Sequence, residues 1–146
     1  MKKVFIAFAA VAVLASCGSS SSSEPADYTA FCAKAAKLEE AAGQTHFDDP
    51  AAISDTKVMA NTWSVAVARA VELRDASPDT VKDDVTLMVS TLIDMNKIFK
   101  ENDYDLMAMA KNEKIRKELD AISSRKGVSQ ASERFNSFMK KNCGQQ

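Results

Sequence analysis

Residues 77–101 read SPDTVKDDVTLMVSTLIDMNKIFKE, and this stretch decides the fold. Val81, Val85, Met88, Leu92, Met95 and Phe99 recur at alternating spacings of four and three, which lines them along one side of a helix. Asp83, Ser90, Asp94, Lys97 and Glu101 fall on the opposite side. Ser77 reads as the cap, Pro78 as the first helical position and Asp79 as an acid suited to the helix dipole. Such a helix, about 24 residues and about 36 Å long, has the pattern of a bundle member packed at a shallow angle.

The flanking segments carry the same period. Asp27 can cap a helix over 28–42, with Tyr28, Phe31, Cys32, Ala35 and Leu38 on one face and Gly43 as its stop. Asp49-Pro50 then supplies a cap and a first-position proline for a helix over 50–76. Met59, Trp63, Ala66, Ala70 and Leu73 form its stripe, which Val58, Val65, Val67 and Val71 widen into an arc contacted on more than one side. Beyond the turn at 102–104, Asp105 can cap a fourth helix with Leu106, Met109, Leu119 and Ile122 inward. Its polar middle at 111–117 admits a break, and Gly127 ends it. Ser129 can cap a fifth, with Ala131, Phe135, Phe138 and Met139 inward. Only four glycines and three prolines occur in 146 residues, and no segment alternates as a strand would. The expectation is an all-α, up-and-down bundle of four to five helices.

Upstream of the bundle the chain changes character. Lys2 and Lys3 precede an apolar run over 4–15, which as helix spans only about 18 Å, short of a hydrocarbon core of roughly 30 Å. A positive head, a short apolar middle and small residues at the end mark an export signal. The end, Leu14-Ala15-Ser16-Cys17, resembles the bacterial lipobox, in which the Cys thiol is diacylglycerated and cleavage falls just before it. Residues 1–16 are therefore read as signal peptide, 17–26 as a lipidated Cys17 with a Ser-rich flexible tether, and 27–144 as the helical domain. Two or more acyl chains hold a protein stably at a bilayer. The ten residues after Cys17 reach at most about 35 Å and average nearer 18 Å, so the domain stays close to the membrane.

Without Lys2 and Lys3 the chain has 17 basic and 20 acidic residues, a formal charge of −3. Residues 24–105 hold 16 acids and 8 bases, and residues 111–141 hold 9 bases and 4 acids. Acids interrupt the basic part throughout, which is the pattern of solvated helix faces. Net charge and the export signal argue against nucleic-acid binding.

Cys32 and Cys143 form an even pair in an oxidising compartment. Cys32 lies on the inner face of the first helix, and Phe135, Met139 and Cys143 share one face of the last. A Cys32–Cys143 disulfide pinning the two ends of the domain is expected.

Phe31-Cys32 near the start and Phe138-Met139-Lys140-Lys141-Asn142-Cys143-Gly144 at the end are similar to segments of a group of small actinobacterial lipoproteins. The likeness extends to the lipobox, the serine tether, Trp63 in the second helix and Ser77-Pro78-Asp79 before the third. The resemblance implies a helical domain, a lipid anchor and paired terminal cysteines. It implies no activity and no active site.

Motifs for chemistry are sparse. His46, the one histidine, stands in a polar loop without a nucleophile signature, and it lacks partners for a metal. Asp103-x-Asp105 resembles the opening of a calcium loop, but Ala108 and Lys114 replace the required Gly and Glu, so both aspartates read as turn and cap residues. Asp79, Asp83 and Asp84 crowd one helix start and are the place where a carboxylate pair would hide. Met107 and Met109 diverge on a helix, while Met88 and Met95 sit in the core stripe, which favours packing over copper(I) ligation. Trp63 reads first as a core residue. The function expected is a non-enzymatic, lipid-anchored envelope module at the outer face of the membrane. It touches membrane lipid through Cys17, has an envelope protein or wall component as partner, and needs no cofactor or metal. A carrier holding an apolar small ligand in the bundle core is the alternative, and an envelope hydrolase the weakest one.

Overall fold

The computed structural model describes residues 27–43 and 50–144. The signal segment, Cys17 with its tether, His46 and the Asp49 cap lie outside the described residues. Within them are seven helices and no strand: α1 (Thr29–Gly43), α2 (Pro50–Ser54), α3 (Thr56–Asp75), α4 (Lys82–Glu101), α5 (Leu106–Lys111), α6 (Glu113–Ser123) and α7 (Val128–Asn142). No described helix is long and apolar enough to cross a membrane.

The expected second and fourth helices are each divided, for one chemical reason. Asp55 accepts from the backbone N–H groups of Lys57 (2.9 Å) and Val58 (3.1 Å), which starts α3 afresh after the single turn of α2. Asn112 does the same for Lys114 (3.1 Å) and Ile115 (3.3 Å), which separates α6 from α5. A short polar side chain competes with the helical carbonyls for these N–H groups. Asp27 accepts from Thr29 N–H (2.9 Å) at the head of α1, and Asp105 from Ala108 N–H (2.8 Å) at the head of α5, both as the sequence suggested. Two other starts differ. Ser77 does not cap α4: its hydroxyl turns back to donate to Leu73 O (2.9 Å), and residues 78–81 form a turn closed by Val81 N–H donating to Pro78 O (3.0 Å). At α7 the cap position falls to Gly127 instead of Ser129, with φ +91°, a left-handed conformation suited to glycine.

The chain runs up α1, down α3, up α4 and back down through α6 and α7. Leu73 of α3 packs in the same cluster as Val85 of α4, and Trp63 stacks on Phe99 with ring centroids 4.3 Å apart, which makes α3 and α4 antiparallel. The return path along α4 is shared. Ile122 and Arg125 reach the level of Asp94, whereas Arg134 reaches Asp84. A Cβ on Gly127, between those levels, would stand 3.4 Å from a methyl carbon of Leu87. Because α3, α6 and α7 all pack on α4, its buried set is wider than the predicted stripe. Val81, Val85 and Phe99 are buried as expected, but so are Asp84, Val89, Thr91 and Ile98, while Met88, Leu92 and Met95 are half-buried. On α3 the expected widening fails at Val58 and Val65, which are exposed.

Two apolar clusters result. One joins Phe31, Ala35, Ala70, Leu73, Val81, Val85, Val89 and Met139, with Cys32, Phe135, Phe138 and Cys143 against them. The other joins Ile98, Phe99 and Met109 with Trp63, Tyr104, Ile115, Leu119 and Ile122. Cys32 and Cys143 are bridged, with Cα atoms 5.4 Å apart, inside the usual disulfide range. Edge-on rings brace the bridge: Tyr28 on Phe138 at 4.9 Å and Phe31 on Phe138 at 5.6 Å.

The bridge closes a loop of 111 residues. Replacing both cysteines by serine is expected to lower unfolding free energy by about 2–5 kcal/mol, read as a lower urea midpoint. Reducing the wild-type protein should reproduce that drop and leave the serine variant unmoved. Leu73, 2 % exposed, should cost about 2–5 kcal/mol on truncation to alanine. Leu92→Ala should cost clearly less, because Leu92 is half-buried and already faces open space.

Candidate functional site

α1 packs on α3 and α7 packs on α4, but the α1 and α7 backbones hardly approach each other. The bridge draws them together at one end, and a seam opens between them beyond it. Small residues keep it open: Ala35 and Ala42 on α1 and Ala70 on α3 stand where larger side chains would fill it.

Two chambers occupy the seam. The inner one, about 220 Å³, is lined by Leu38, Ala70, Leu73, Val85, Met88, Val89, Leu92 and Phe135, without a polar side chain. The outer one, about 230 Å³, has Ala35, Ala42 and Met139 in its wall and Glu39 and Asn136 at its polar side. Leu38, Leu73 and Phe135 belong to both and form the partition between them. Protein interiors normally pack without voids larger than a water molecule. The atoms lining an apolar space lose dispersion contacts that a bound apolar group would restore. Concave, mostly apolar space with a few polar groups at one side is the general form of a small-molecule site.

The acidic candidates resolve differently. Asp84 turns inward, its side chain 12 % exposed, and Arg134 of α7 donates to both its oxygens, Nε at 2.9 Å and Nη2 to the other. These hydrogen bonds hold the Asp84 carboxyl below the usual carboxylate range, against burial, with the guanidinium charge adding to the effect. Asp79 and Asp83 stay at the surface. Asp84 is thus a strut between α4 and α7, and Arg125, two residues before Gly127, forms a second one with Asp94. Asp103 and Tyr104 have positive φ (52° and 56°) in the reversal after α4, where the Tyr104 hydroxyl donates to Asn96 (3.2 Å). Met88 lines the inner chamber, Met95 and Met109 pack in the second cluster, and Met107 is exposed. Among the described residues no group of His, Cys, Asp or Glu could hold a metal ion. Trp63 is half-buried on Phe99, with its Nε1 enclosed and without an acceptor, and it is not a wall of either chamber.

The sequence identified most lining residues as core but not the space among them. The alanines at 35, 42 and 70 on inward faces are the one signal that could have pointed to it. Compared with protein-family models, with curated proteins and with solved structures, the chain matches none of them.

The lowered Asp84 carboxyl carries a sign for acid stability. Its contribution is complete above the ordinary aspartate value of about 3.9 and is lost as pH falls through the lower folded-state value. Asp84→Asn should therefore reduce the urea midpoint at pH 7, and the gap to wild type should begin to close as pH falls below the ordinary aspartate value of about 3.9. Arg134 is well exposed, so the gap at pH 7 should also shrink in molar salt.

Proposed function

We propose that this chain is an exported lipoprotein, anchored through Cys17, whose domain is a non-enzymatic binding module on the outer face of the membrane, and that its binding element is the apolar seam between α1 and α7. The observation that carries the reading is the inner chamber: about 220 Å³ walled by eight apolar residues from four helices. That space is larger than an engineered apolar cavity of about 150 Å³ that takes up benzene. It supports the carrier form of the module, in which the bound partner enters as an apolar group. The space lies beside Phe135, away from Trp63, which packs in the other cluster. The hydrolase alternative draws no support from the acid cluster, since Asp84 is engaged by Arg134. The anchor reading draws on the lipobox and the short apolar run before it.

The test uses the mature chain from residue 17 with Cys17→Ala, so that no detergent competes. An environment-sensitive naphthalene dye should bind with a blue shift. Leu92→Trp, which fills the inner chamber from a half-buried position, should weaken uptake at least tenfold with the circular-dichroism melt retained. Equal uptake by both proteins would remove the seam from the reading. Intact-mass analysis of the wild-type chain from an exporting bacterial host should show a diacylglyceryl group on Cys17, and an unmodified mass would remove the anchor.

A further inference from the structure

We infer that the seam takes a single unbranched acyl chain with a small polar head, and that Phe135 sets how far the chain enters. The inference rests on the reading of the seam as the binding site and names the ligand class. Three observations carry it.

The first is size. On the scale of a roughly 150 Å³ cavity for six benzene carbons, each chamber has room for about nine carbons. Neither chamber alone reaches the roughly 300 Å³ at which ligand pockets usually begin, whereas the two together do. The second is shape. The inner chamber follows α4 from Val85 to Leu92, about 10 Å at 1.5 Å per residue, and the outer follows α1 from Ala35 to Ala42 over the same distance. Each chamber is thus a trough about 10 Å long, matched in length to about eight methylenes of an extended chain. The third is polarity. The inner chamber has no polar side chain, while Glu39 and the exposed Asn136 side chain border the outer one, so the tail points inward and the head stays by Asn136.

Phe135 is the partition residue whose position decides whether one chamber or both fill. It lines both chambers, and its ring packs edge-on to Phe31 at 6.3 Å. Asp27 begins the described chain at the bridged end of the seam. The anchor proposed at Cys17, ten residues before Asp27, would keep the seam near a bilayer, where single-chain amphiphiles partition.

The experiment is calorimetric titration of the mature Cys17→Ala chain with monoacylglycerols of 8 to 16 carbons, each below its aggregation concentration. A neutral head avoids setting a second charge beside Glu39. Affinity should rise about fourfold per methylene through 14 carbons. Phe135→Trp, a bulkier ring in the same wall, should stop that rise near ten carbons with an unchanged melting temperature. Dioleoyl phosphatidylcholine in vesicles should not displace the bound chain. A rise in the wild type that stops near nine carbons would mean that one chamber fills, overturning the proposal and leaving the binding-module reading in place. Equal plateaus for wild type and Phe135→Trp would overturn the role of Phe135, and displacement by the two-chain lipid would overturn the single-chain class. No heat and no dye uptake with any ligand would overturn both this proposal and the reading beneath it.

Discussion

The constraint on which this structure depends is covalent: Cys32 and Cys143 hold α1 against α7 at one end of the bundle. Without it the edge helix α1 would be held mainly by its contact with α3. The bridge supplies the closure that backbone packing between α1 and α7 does not. The rings of Tyr28, Phe31, Phe135 and Phe138 pack edge-on beside it. At the other end of the seam no such link exists among the described residues, and the two helices part. A domain of this size can form a sufficient core of its own, so the bridge fixes where the bundle is shut and where it is open.

The second organising element is α4. It alone contacts α3, α6 and α7, and it contributes to both apolar clusters, Val81 to Val89 in one and Met95 to Phe99 in the other. Its acids serve the same purpose. Asp84 and Asp94 each receive an arginine from the returning chain, one on either side of the turn at Gly127. Breaking a partly buried pair by removing one partner leaves the other charge unsatisfied. The two struts thus fix the register of α6 and α7 on α4 more than they add to overall stability.

The helical class, the antiparallel order and the bridge were legible because they follow from periodic apolar positions and from the placement of two cysteines. Phe31, Ala35, Met59, Ala70, Leu73, Ala131 and Met139 are buried on the faces that their spacing gave them. The break at Asn112 lay within a segment whose polarity admitted one. The break at Asp55 went unread because the apolar pattern continues through it, although Ser54-Asp55-Thr56 is a run of cap-forming residues. Ser77 misled for a local reason: the same hydroxyl that can cap the next helix can bond back to the previous one, and burial beside Leu73 favours the second choice. The burial of Asp84 was invisible because it depends on Arg134, fifty residues away. The seam went unread because it depends on how far two helices splay, and the alanines at 35, 42 and 70 mark its walls without showing that splay.

The bridge also sets the covalent topology of the whole domain. Every helix from the second turn of α1 to the end of α7 lies inside one closed ring of chain. A single backbone cut in the reversal at Asp103, in the α2–α3 junction or at Gly127 therefore releases no fragment, because both halves stay joined through sulfur. Proteolytic damage inside the ring is a nick and not a loss. Only a cut outside residues 32–143 separates a segment from the domain.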